Sequence, residues 1–552
     1  MSQRNFDIVS AVEMAYQLYQ QKHYHQCVDI CIQILGIDCT RADIWNLAGI
    51  IMLELKFYER AIEYFTQATQ CEPTEPNHRI NLAEAYRRAG KPTRCITELE
   101  ILLESDENMQ MSAHLHFNLA KAYSDIEDSQ SSIKHYTIAI KLDPNDLGAM
   151  FNLANAQVGL KHFGEAIELY ISALNKGYLD AGVNLAHTYM RIGLYEEAVQ
   201  VYSAIYEHYK DESDFLFNYA NALNYANANP QHALALYTQA IALNPNKTHY
   251  CINYAHFLLK RLHFEEGFRI YEERKKLPKM LPEGITSLWQ YNGGKADFVD
   301  KSVLVYYEQG FGDSIMFARF LPLLEQQAKK ICVIVQESLV PLFTKFHIPC
   351  TSCLSEVGQY DVALSLVSLP LALGVKSVED LRYMPFQIQK DKRESNATIE
   401  DKNIKKIGIC FSTDSQFSEA ENKSIPLEIL MSALQDLSQH LAIYSLNKAP
   451  CEKINDYEII QKEMNDFGDT YEIIQDMDIV ISIDTAVAHL SASMGKHTLV
   501  LLHKSYDWRW GNGIVTPWYE SVVCMTQSKM GEWDDVAHNI RAYLKGWIGI
   551  SS

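Results

Sequence analysis

The sequence predicts an all-helical solenoid in the first half of the chain, followed by an α/β structure of two lobes. The first observation is a pattern that repeats about every 34 residues up to residue 280. The second is that short apolar runs, ending in polar or glycine-containing turns, alternate with helical patterns after residue 300. This alternation is typical of parallel sheets with crossover helices. We therefore predict three domains, at residues 1–280, 281–395 and 396–552.

An asparagine followed by leucine or tyrosine and then alanine marks six of the repeats. The six are Asn81, Asn118, Asn152, Asn184, Asn218 and Asn253, spaced 37, 34, 32, 34 and 35 residues apart. Small residues about 14 positions later let two helices approach closely, which is the tetratricopeptide pattern. Each helix pair leaves an apolar face that only the next pair covers. Roughly seven or eight repeats should therefore build a superhelix with a concave groove.

The six asparagines predict a polar ladder along one surface of this superhelix. An amide both donates and accepts hydrogen bonds and is costly to bury without partners. The ladder could therefore hold an extended polypeptide through its backbone; alternatively, each asparagine bonds a neighbouring repeat and stiffens the stack. The array is similar to that of O-linked N-acetylglucosamine transferases, in which an asparagine ladder lines the repeat superhelix. This resemblance implies a polypeptide acceptor or a partner protein in the groove.

The 281–395 segment contains a strand at Val303–Tyr307 that runs into the string Glu-Gln-Gly-Phe-Gly-Asp. Gly310 and Gly312 would let the backbone turn tightly and approach a ligand. Asp313 begins a helix that we predict to extend from Ser314 to Gln327. The carboxylate of Asp313 either caps that helix or acts as a general base. The helix N-terminus should lower its pKa.

The 396–552 segment places polar residues after two further strands. Ser412 follows the strand Lys406–Phe411, and Asp484 and Thr485 follow the buried strand Ile479–Ile483. Open α/β sheets bind ligands at such strand ends, and a helix N-terminus attracts phosphate. Alternatively, Asp484 and Thr485 only cap the next helix.

Two basic residues of this segment could meet a phosphate. Lys423 is suited to neutralise a diphosphate leaving group, and His489 lies about one turn into the helix after Thr485. The alternatives are an exposed surface lysine and a packed histidine. Asp476 and Asp478 directly precede a strand, so we expect a turn there and not a metal site.

The string Asp-Thr-x-x-x-His at 484–489 resembles the sugar-nucleotide loop of bacterial heptosyltransferase-type enzymes (ADP-heptose:LPS heptosyltransferase-like). The strings Asp-Trp-Arg-Trp at 507–510 and Pro-Trp-Tyr at 517–519 strengthen the resemblance. It implies a GT-B fold of two Rossmann-like lobes, inversion at the anomeric carbon, no required metal or cofactor, and Asp313 as the base. The donor-binding residues that it implies are Gly310, Gly312, Ser412, Lys423, Asp484, Thr485, Ala486 and His489.

Composition limits the other possibilities. A net charge of −20 argues against nucleic acid as the main partner. No apolar run approaches the ~20 residues of a membrane span, and no signal peptide is recognisable, so we expect a cytoplasmic protein. The twelve scattered cysteines are expected to be mostly buried thiols.

The predicted function is glycosyl transfer from a nucleotide sugar to a protein or peptide hydroxyl held by the repeat groove. The first alternative is transfer to a glycan or a lipid-linked saccharide. The second is a non-catalytic repeat scaffold whose transferase domain is inactive.

Overall fold

The computed structural model of the chain describes two compact units. It describes residues 7–105, 111–277, 285, 291, 293–381, 384, 386, 387, 404–413, 423–449 and 458–549. The first unit is Met1–Ile192 with Gln200–Tyr206, and the second is Gly193–Val199 with Glu207–Ser552. The predicted domain boundaries near residues 280 and 395 fall outside the described residues.

The first unit is built of sequential helix pairs. Its helices α1 to α11 are Ile8–Gln20, Tyr24–Ile37, Ala42–Glu54, Tyr58–Cys71, Pro76–Arg88, Pro92–Ser105, Ala113–Asp125, Ser129–Leu142, Leu147–Gly159, Phe163–Asn175 and Leu179–Arg191. Small side chains such as Ala61 and Ala166 are completely buried between the helices of a pair. A Cβ on Gly49 would stand 2.6 Å from the ring of Phe65, so only glycine admits that ring here. These contacts explain why small and aromatic residues recur with the repeat period.

The helical pattern continues into the second unit. Helix α12 spans Tyr195–Tyr209, and α13 to α16 are Ser213–Tyr225, Pro230–Leu243, Thr248–Lys260 and Phe264–Tyr271, followed by a 3-10 turn at Glu272–Lys276. Phe264 and Phe268 lie in the same hydrophobic core as the strands of the α/β part. The last helix pair and the α/β part are therefore joined by packing within this unit.

Two parallel sheets form the α/β part, as the apolar runs predicted. The first consists of β1 to β4, which are Ser302–Tyr306, Lys330–Ile334, Cys350–Thr351 and Val362–Ser365. The second consists of β5 to β10, which are Lys405–Cys410, Leu441–Ser445, Ile459–Gln461, Ile479–Ile483, Thr498–Leu502 and Val522–Thr526. Their orders are β3-β2-β1-β4 and β10-β9-β8-β5-β6-β7. If the six strands of the second sheet are numbered 1 to 6 in chain order, from β5 to β10, their order across the sheet is 3-2-1-4-5-6, which is the doubly wound arrangement.

Helices and 3-10 turns connect these strands. The helices are Phe311–Phe317, Leu321–Gln327, Val340–Lys345, Leu369–Leu373, Leu427–Leu434, Phe467–Gln475, Ala486–Ser493 and Asp534–Ile548. The prediction of one helix from Ser314 to Gln327 was wrong, because a 3-10 turn at Ala318–Phe320 interrupts it. Pro322 cannot donate to the carbonyl of Ala318, and its ring crowds that carbonyl, so the α-helix cannot continue. The helix also begins earlier, at Phe311, with Gly310 as its N-cap.

Candidate functional site

The candidate site is a cleft of about 920 Å³ at the carboxyl ends of strands from both sheets. In the second sheet, β5 and β8 are neighbours, and the chain continues from β5 to β6 on one side and from β8 to β9 on the other. In the first sheet, β1 continues to β2 on one side, and β4 lies on its other side. Such switch points leave a crevice that binds ligands. All nine residues predicted for catalysis and donor binding line the cleft: Gly310, Gly312, Asp313, Ser412, Lys423, Asp484, Thr485, Ala486 and His489.

The carboxylate of Asp313 is held by an arginine from the second sheet's loops. Nη2 of Arg509 donates to Oδ1 of Asp313 at 2.5 Å and to Oε1 of Gln309 at 3.2 Å. Nη1 of the same guanidinium donates to Oδ1 of Asp507 at 2.8 Å. Asp313 is the third residue of its helix, whose N-cap is Gly310, and its carboxylate pairs with Arg509. Asp313 therefore does not act as the helix cap.

The charge state of Asp313 departs from the expectation for a helix N-terminus. Burial raises the pKa of this carboxyl, and Arg509 only partly opposes that effect, while Asp507 adds to it. The predicted lowering was wrong, because burial dominates the pKa of Asp313 and even the paired Arg509 does not reverse it. Asp507 differs, since burial is outweighed there by Arg509 and its pKa falls well below the usual range. A carboxylate of raised pKa is better suited to accept a proton near neutral pH.

Asp484 pairs with the lysine that sequence analysis selected. Nζ of Lys423 lies 3.0 Å from Oδ2 of Asp484, and the indole Nε1 of Trp510 donates to Oδ1 at 2.8 Å. Burial favours the protonated carboxyl, but Lys423 and His489 together oppose it, and the net result is a lowered pKa for Asp484. Asp484 therefore acts through its side chain in the cleft and does not cap the following helix.

Thr485 is the N-cap of the helix Ala486–Ser493, but its hydroxyl does not bond that helix. Oγ1 instead lies 3.1 Å from Oγ of Ser482 and 3.7 Å from Sγ of Cys410. The first helical residues, Ala486 and Val487, line the cleft. The backbone N–H groups at this helix end are thus available to an anion in the cleft.

His489 is a buried side chain packed between aromatic residues. Its ring stacks on Trp510 with centroids 4.7 Å apart, and Nδ1 lies 2.9 Å from the hydroxyl of Tyr519. Burial lowers the pKa of His489 to about 4, so the imidazole is neutral near pH 7. A Cβ on Gly312 would lie 2.9 Å from Cδ2 of this ring. Gly312 is therefore needed for contact with His489, whereas Gly310 has open space around it.

Asn447 fixes the segment that follows β5. Its Nδ2 donates to both the carbonyl and the hydroxyl oxygen of Ser412, at 2.9 and 2.8 Å. Its Oδ1 accepts from the backbone N–H of Phe411 at 3.0 Å. Asn447 also lines the cleft. These bonds orient Ser412 toward the same space as Asp484.

The last repeat holds the loop that carries Asp313. Arg274, which is 1% exposed, forms ion pairs with Glu308 and with Glu272, the latter at 2.8 Å. Nε2 of Gln309 donates to the hydroxyl of Tyr271 at 3.0 Å. Both residues of the Glu-Gln pair before the glycines are thus anchored to the helical part of the second unit.

The six asparagines of the predicted ladder occupy one position, because each is the sixth residue of a 13-residue helix. Nδ2 of Asn81 donates to Oδ1 of Asn46 at 2.9 Å, and Nδ2 of Asn184 donates to Oδ1 of Asn155 at 2.7 Å. These bonds join adjacent repeats, as the alternative interpretation expects. All six asparagines are half-buried.

Arg509, Asp507, Asn447 and Arg274 are site residues that sequence reasoning did not select. The Asp-Trp-Arg-Trp string was a usable signal, because a charged residue between two tryptophans needs a partner when the segment is buried.

Within the described ranges, no cluster of three His, Cys, Asp or Glu side chains could hold a metal ion. The eleven described cysteines are free thiols. None of the described helices is long and apolar enough to cross a bilayer.

Comparison with known proteins confirms that the chain contains tetratricopeptide repeats, since that family's model matches residues 117–178 and 183–248. The TPR repeat-containing protein YpiA of Bacillus subtilis (strain 168) is 25% identical over 177 residues, which are 32% of this chain and 41% of that protein. The protein O-mannosyl-transferase TMTC3 of Homo sapiens is 24% identical over 227 residues, 38% of this chain and 22% of that protein. The chain spans less than half the length of these curated relatives.

Two solved structures illustrate the similarity, which covers less than half of this chain in each. MamA (residues 41 to the end) from Desulfovibrio magneticus RS-1 has 14% identity and a TM-score of 0.29, with coverage of 30% of this chain and 93% of that chain. The C-terminal part of a TPR repeat-containing protein from Cytophaga hutchinsonii has 13% identity and a TM-score of 0.37, with coverage of 43% and 97%.

Proposed function

We propose that the chain is a glycosyltransferase that moves a sugar from a nucleotide-sugar donor to a hydroxyl group of a protein or peptide held by the repeat groove. The observation that carries the proposal is that Asp313 and Thr485 line one cleft although they follow strands of two different sheets. Two parallel sheets that line a common cleft support the proposal of a GT-B fold, in which the acceptor would bind on the first sheet's side. The weak similarity to a protein O-mannosyl-transferase supports transfer to proteins.

In the proposed reaction, the acceptor hydroxyl oxygen attacks the anomeric carbon and forms the new glycosidic bond. The bond between that carbon and the donor phosphate breaks, and the nucleoside diphosphate leaves with the electron pair. Asp313 takes the hydroxyl proton; Arg509 bonds its Oδ1, so Oδ2 remains for this transfer. Attack opposite the leaving group inverts the anomeric carbon.

The leaving diphosphate gains negative charge as the bond breaks. Lys423 and the first N–H groups of the helix Ala486–Ser493 are placed to neutralise it, in place of a metal ion. Lys423 is paired with Asp484 in the structure. Donor phosphate would therefore compete with Asp484 for Lys423 and free the carboxylate to accept hydrogen bonds from sugar or ribose hydroxyls.

The first test is a thermal-shift screen of the full chain with nucleoside diphosphates and nucleotide sugars of each base. We expect one base to stabilise the second unit, by about 2.7 kcal/mol when the ligand is at 100 times its Kd. Lys423→Gln should lower this stabilisation by about 1 kcal/mol at the same ligand concentration, and Lys529→Gln, an exposed lysine outside the cleft, should retain it. No stabilisation by any nucleotide would contradict the proposal and favour the non-catalytic scaffold.

The second test uses the donor found in that screen. The chain, donor and a library of serine- and threonine-containing peptides are incubated, and mass spectrometry detects the added sugar. We expect modified peptides with wild type and none with Asp313→Asn, whose side chain cannot accept the proton in the same way. Transfer to a saccharide primer without peptide modification would instead support the glycan or lipid-linked acceptor.

A further inference from the structure

A group of positively charged side chains lies beside the cleft and takes no part in the proposed reaction. Lys260 is the last residue of α15, Arg261 follows it, and Lys504 stands on the loop between β9 and the 3-10 turn Trp508–Trp510. Nζ of Lys260 lies 4.3 Å from the ring centre of Tyr506 on that loop. We name Lys260, Arg261, Lys504 and Tyr506 the basic patch.

Two of these cations lack a carboxylate partner. Nη1 of Arg261 donates to neutral oxygens only, Oδ1 of Asn224 at 2.8 Å and the carbonyl of Phe257 at 3.3 Å. Over the described part of the chain, no carboxylate forms an ion pair with Lys260 or Arg261. Both side chains are half-buried. Partly buried charges without a counter-charge are unfavourable, so an anion bound here would stabilise both charges.

The surrounding charges support this interpretation. Burial and the neighbouring Arg261 lower the pKa of Lys260 to about 8, although Asp507 opposes them. Asp507 is itself paired with Arg509. Lys504 lies 3.8 Å from Glu196, whose side chain is 59% exposed. The patch is thus locally positive in a chain of net charge −20.

The position of the patch connects the last repeat with the cleft. Asn253, a residue of the predicted ladder, lies on α15 seven residues before Lys260, which places both on one face of that helix. At the other side, Tyr506 is followed directly by Asp507, which lines the cleft. The basic patch therefore lies between the face of α15 that carries Asn253 and the cleft-lining Asp507.

We propose that the basic patch is a docking subsite for an acidic side chain of the acceptor polypeptide, close in sequence to the hydroxyl that receives the sugar. A carboxylate would pair with Lys260 and Arg261 and rest against Tyr506. Nucleic acid is less suited, because the field of the whole chain repels a polyanion. The inference rests on the proposed function in one respect, namely that the bound polypeptide is the acceptor of the sugar. Its test needs neither a donor nor sugar transfer.

The experiment measures fluorescence anisotropy of a labelled 12-residue peptide of serine and glycine with four glutamates, against the same peptide with glutamines. At 50 mM salt we expect wild type to bind the glutamate peptide about tenfold more tightly. The difference should shrink at 300 mM salt, because the charges are screened. Lys260→Gln/Arg261→Gln should abolish it, and Lys504→Gln alone should reduce it.

The matched control is Lys529→Gln/Lys545→Gln, which removes the same charge elsewhere in the second unit and should keep the tenfold preference. Circular dichroism and the thermal midpoint establish that each variant is folded. Equal affinity of wild type for both peptides, or an unchanged preference in folded Lys260→Gln/Arg261→Gln, would overturn the inference. Equal competition by a single-stranded oligonucleotide would assign the patch to nucleic acid. A retained peptide preference without any nucleotide-induced thermal shift would refute only the proposed glycosyl transfer.

Discussion

Removing Lys423 should destabilise the second unit more than removing its partner Asp484. The two charged atoms lie 3.0 Å apart, and the side chain of Asp484 is 10% exposed whereas that of Lys423 is 26% exposed. Lys423→Gln leaves a buried carboxylate whose remaining bond in the structure is to Trp510. Breaking a buried pair in this way costs about 3–5 kcal/mol. Asp484→Asn leaves a lysine that can turn toward water, so its cost should be only about 1 kcal/mol.

The assay is urea unfolding of wild type, both single variants and Lys423→Gln/Asp484→Asn, followed by tryptophan fluorescence. The double variant removes both charges and should be less destabilised than Lys423→Gln alone, by about 1–2 kcal/mol. The pKa of Asp484 is lowered in the folded state, so the pair adds to the free energy of unfolding at pH values above the carboxyl's unfolded pKa. This stabilisation is lost as the pH falls through the pKa of Asp484 in the folded state. Additive costs with equal single-variant effects would refute the reasoning.

Three further predictions concern neighbouring contacts. Gly312→Ala should cost about 1–3 kcal/mol in urea unfolding, because its Cβ would meet His489, while Gly310→Ala, with open space, should cost far less. His489 has a folded pKa of about 4, below that of a free histidine, so the unfolded state binds more protons between these values and stability falls on acidification. Compared with His489→Gln, wild type should lose about 2 kcal/mol more between pH 7.5 and 5; equal losses would contradict this. Arg274→Met should lower the thermal midpoint, since it leaves Glu308 buried and unpaired, whereas Arg274→Met/Glu308→Gln should recover part of that loss.

The fold was predictable where the information is local. The repeats follow from small and aromatic residues at fixed spacing, and the strands from short apolar runs that end in polar residues. Asp313 and Thr485 were assigned to one site by the resemblance to heptosyltransferase-type enzymes, because the strand order that brings them together is visible only in the structure. The interruption of the helix after Phe317 could have been read from Pro322, which the apolar periodicity concealed.

The partners of the charged residues were not predictable from spacing. Arg509 is 196 residues from Asp313, and Lys423 is 61 residues from Asp484. Such pairs are created only when loops from different strands meet. The direction of the Asp313 pKa was missed for the same reason, because the helix dipole is visible in the sequence whereas burial by the facing loops is not.

These pairings give opposite predictions for two charge removals in the cleft. Its two principal cations are already engaged, Lys423 by Asp484 and Arg509 by Asp313 and Asp507. An incoming nucleoside diphosphate must therefore compete with carboxylates for both. Asp313→Asn removes one of these competitors and a repelling charge, so it should strengthen nucleoside diphosphate binding about five- to tenfold while abolishing transfer. Lys423→Gln should weaken the same binding by a similar factor.

Isothermal titration at constant ionic strength with the diphosphate identified by the thermal screen measures both effects. Asp436→Asn is the matched control, because it removes an acidic charge that pairs with Arg541 outside the cleft and should leave the affinity unchanged. Weaker binding by Asp313→Asn would mean that its carboxylate contacts the donor directly, as an acceptor for a sugar hydroxyl. In that case the proton-accepting role would need another residue, and the carboxylate next to Arg509 that also lines the cleft is Asp507. Its lowered pKa makes Asp507 the poorer base, so tighter binding by Asp313→Asn together with lost transfer is the result that the charge arrangement favours.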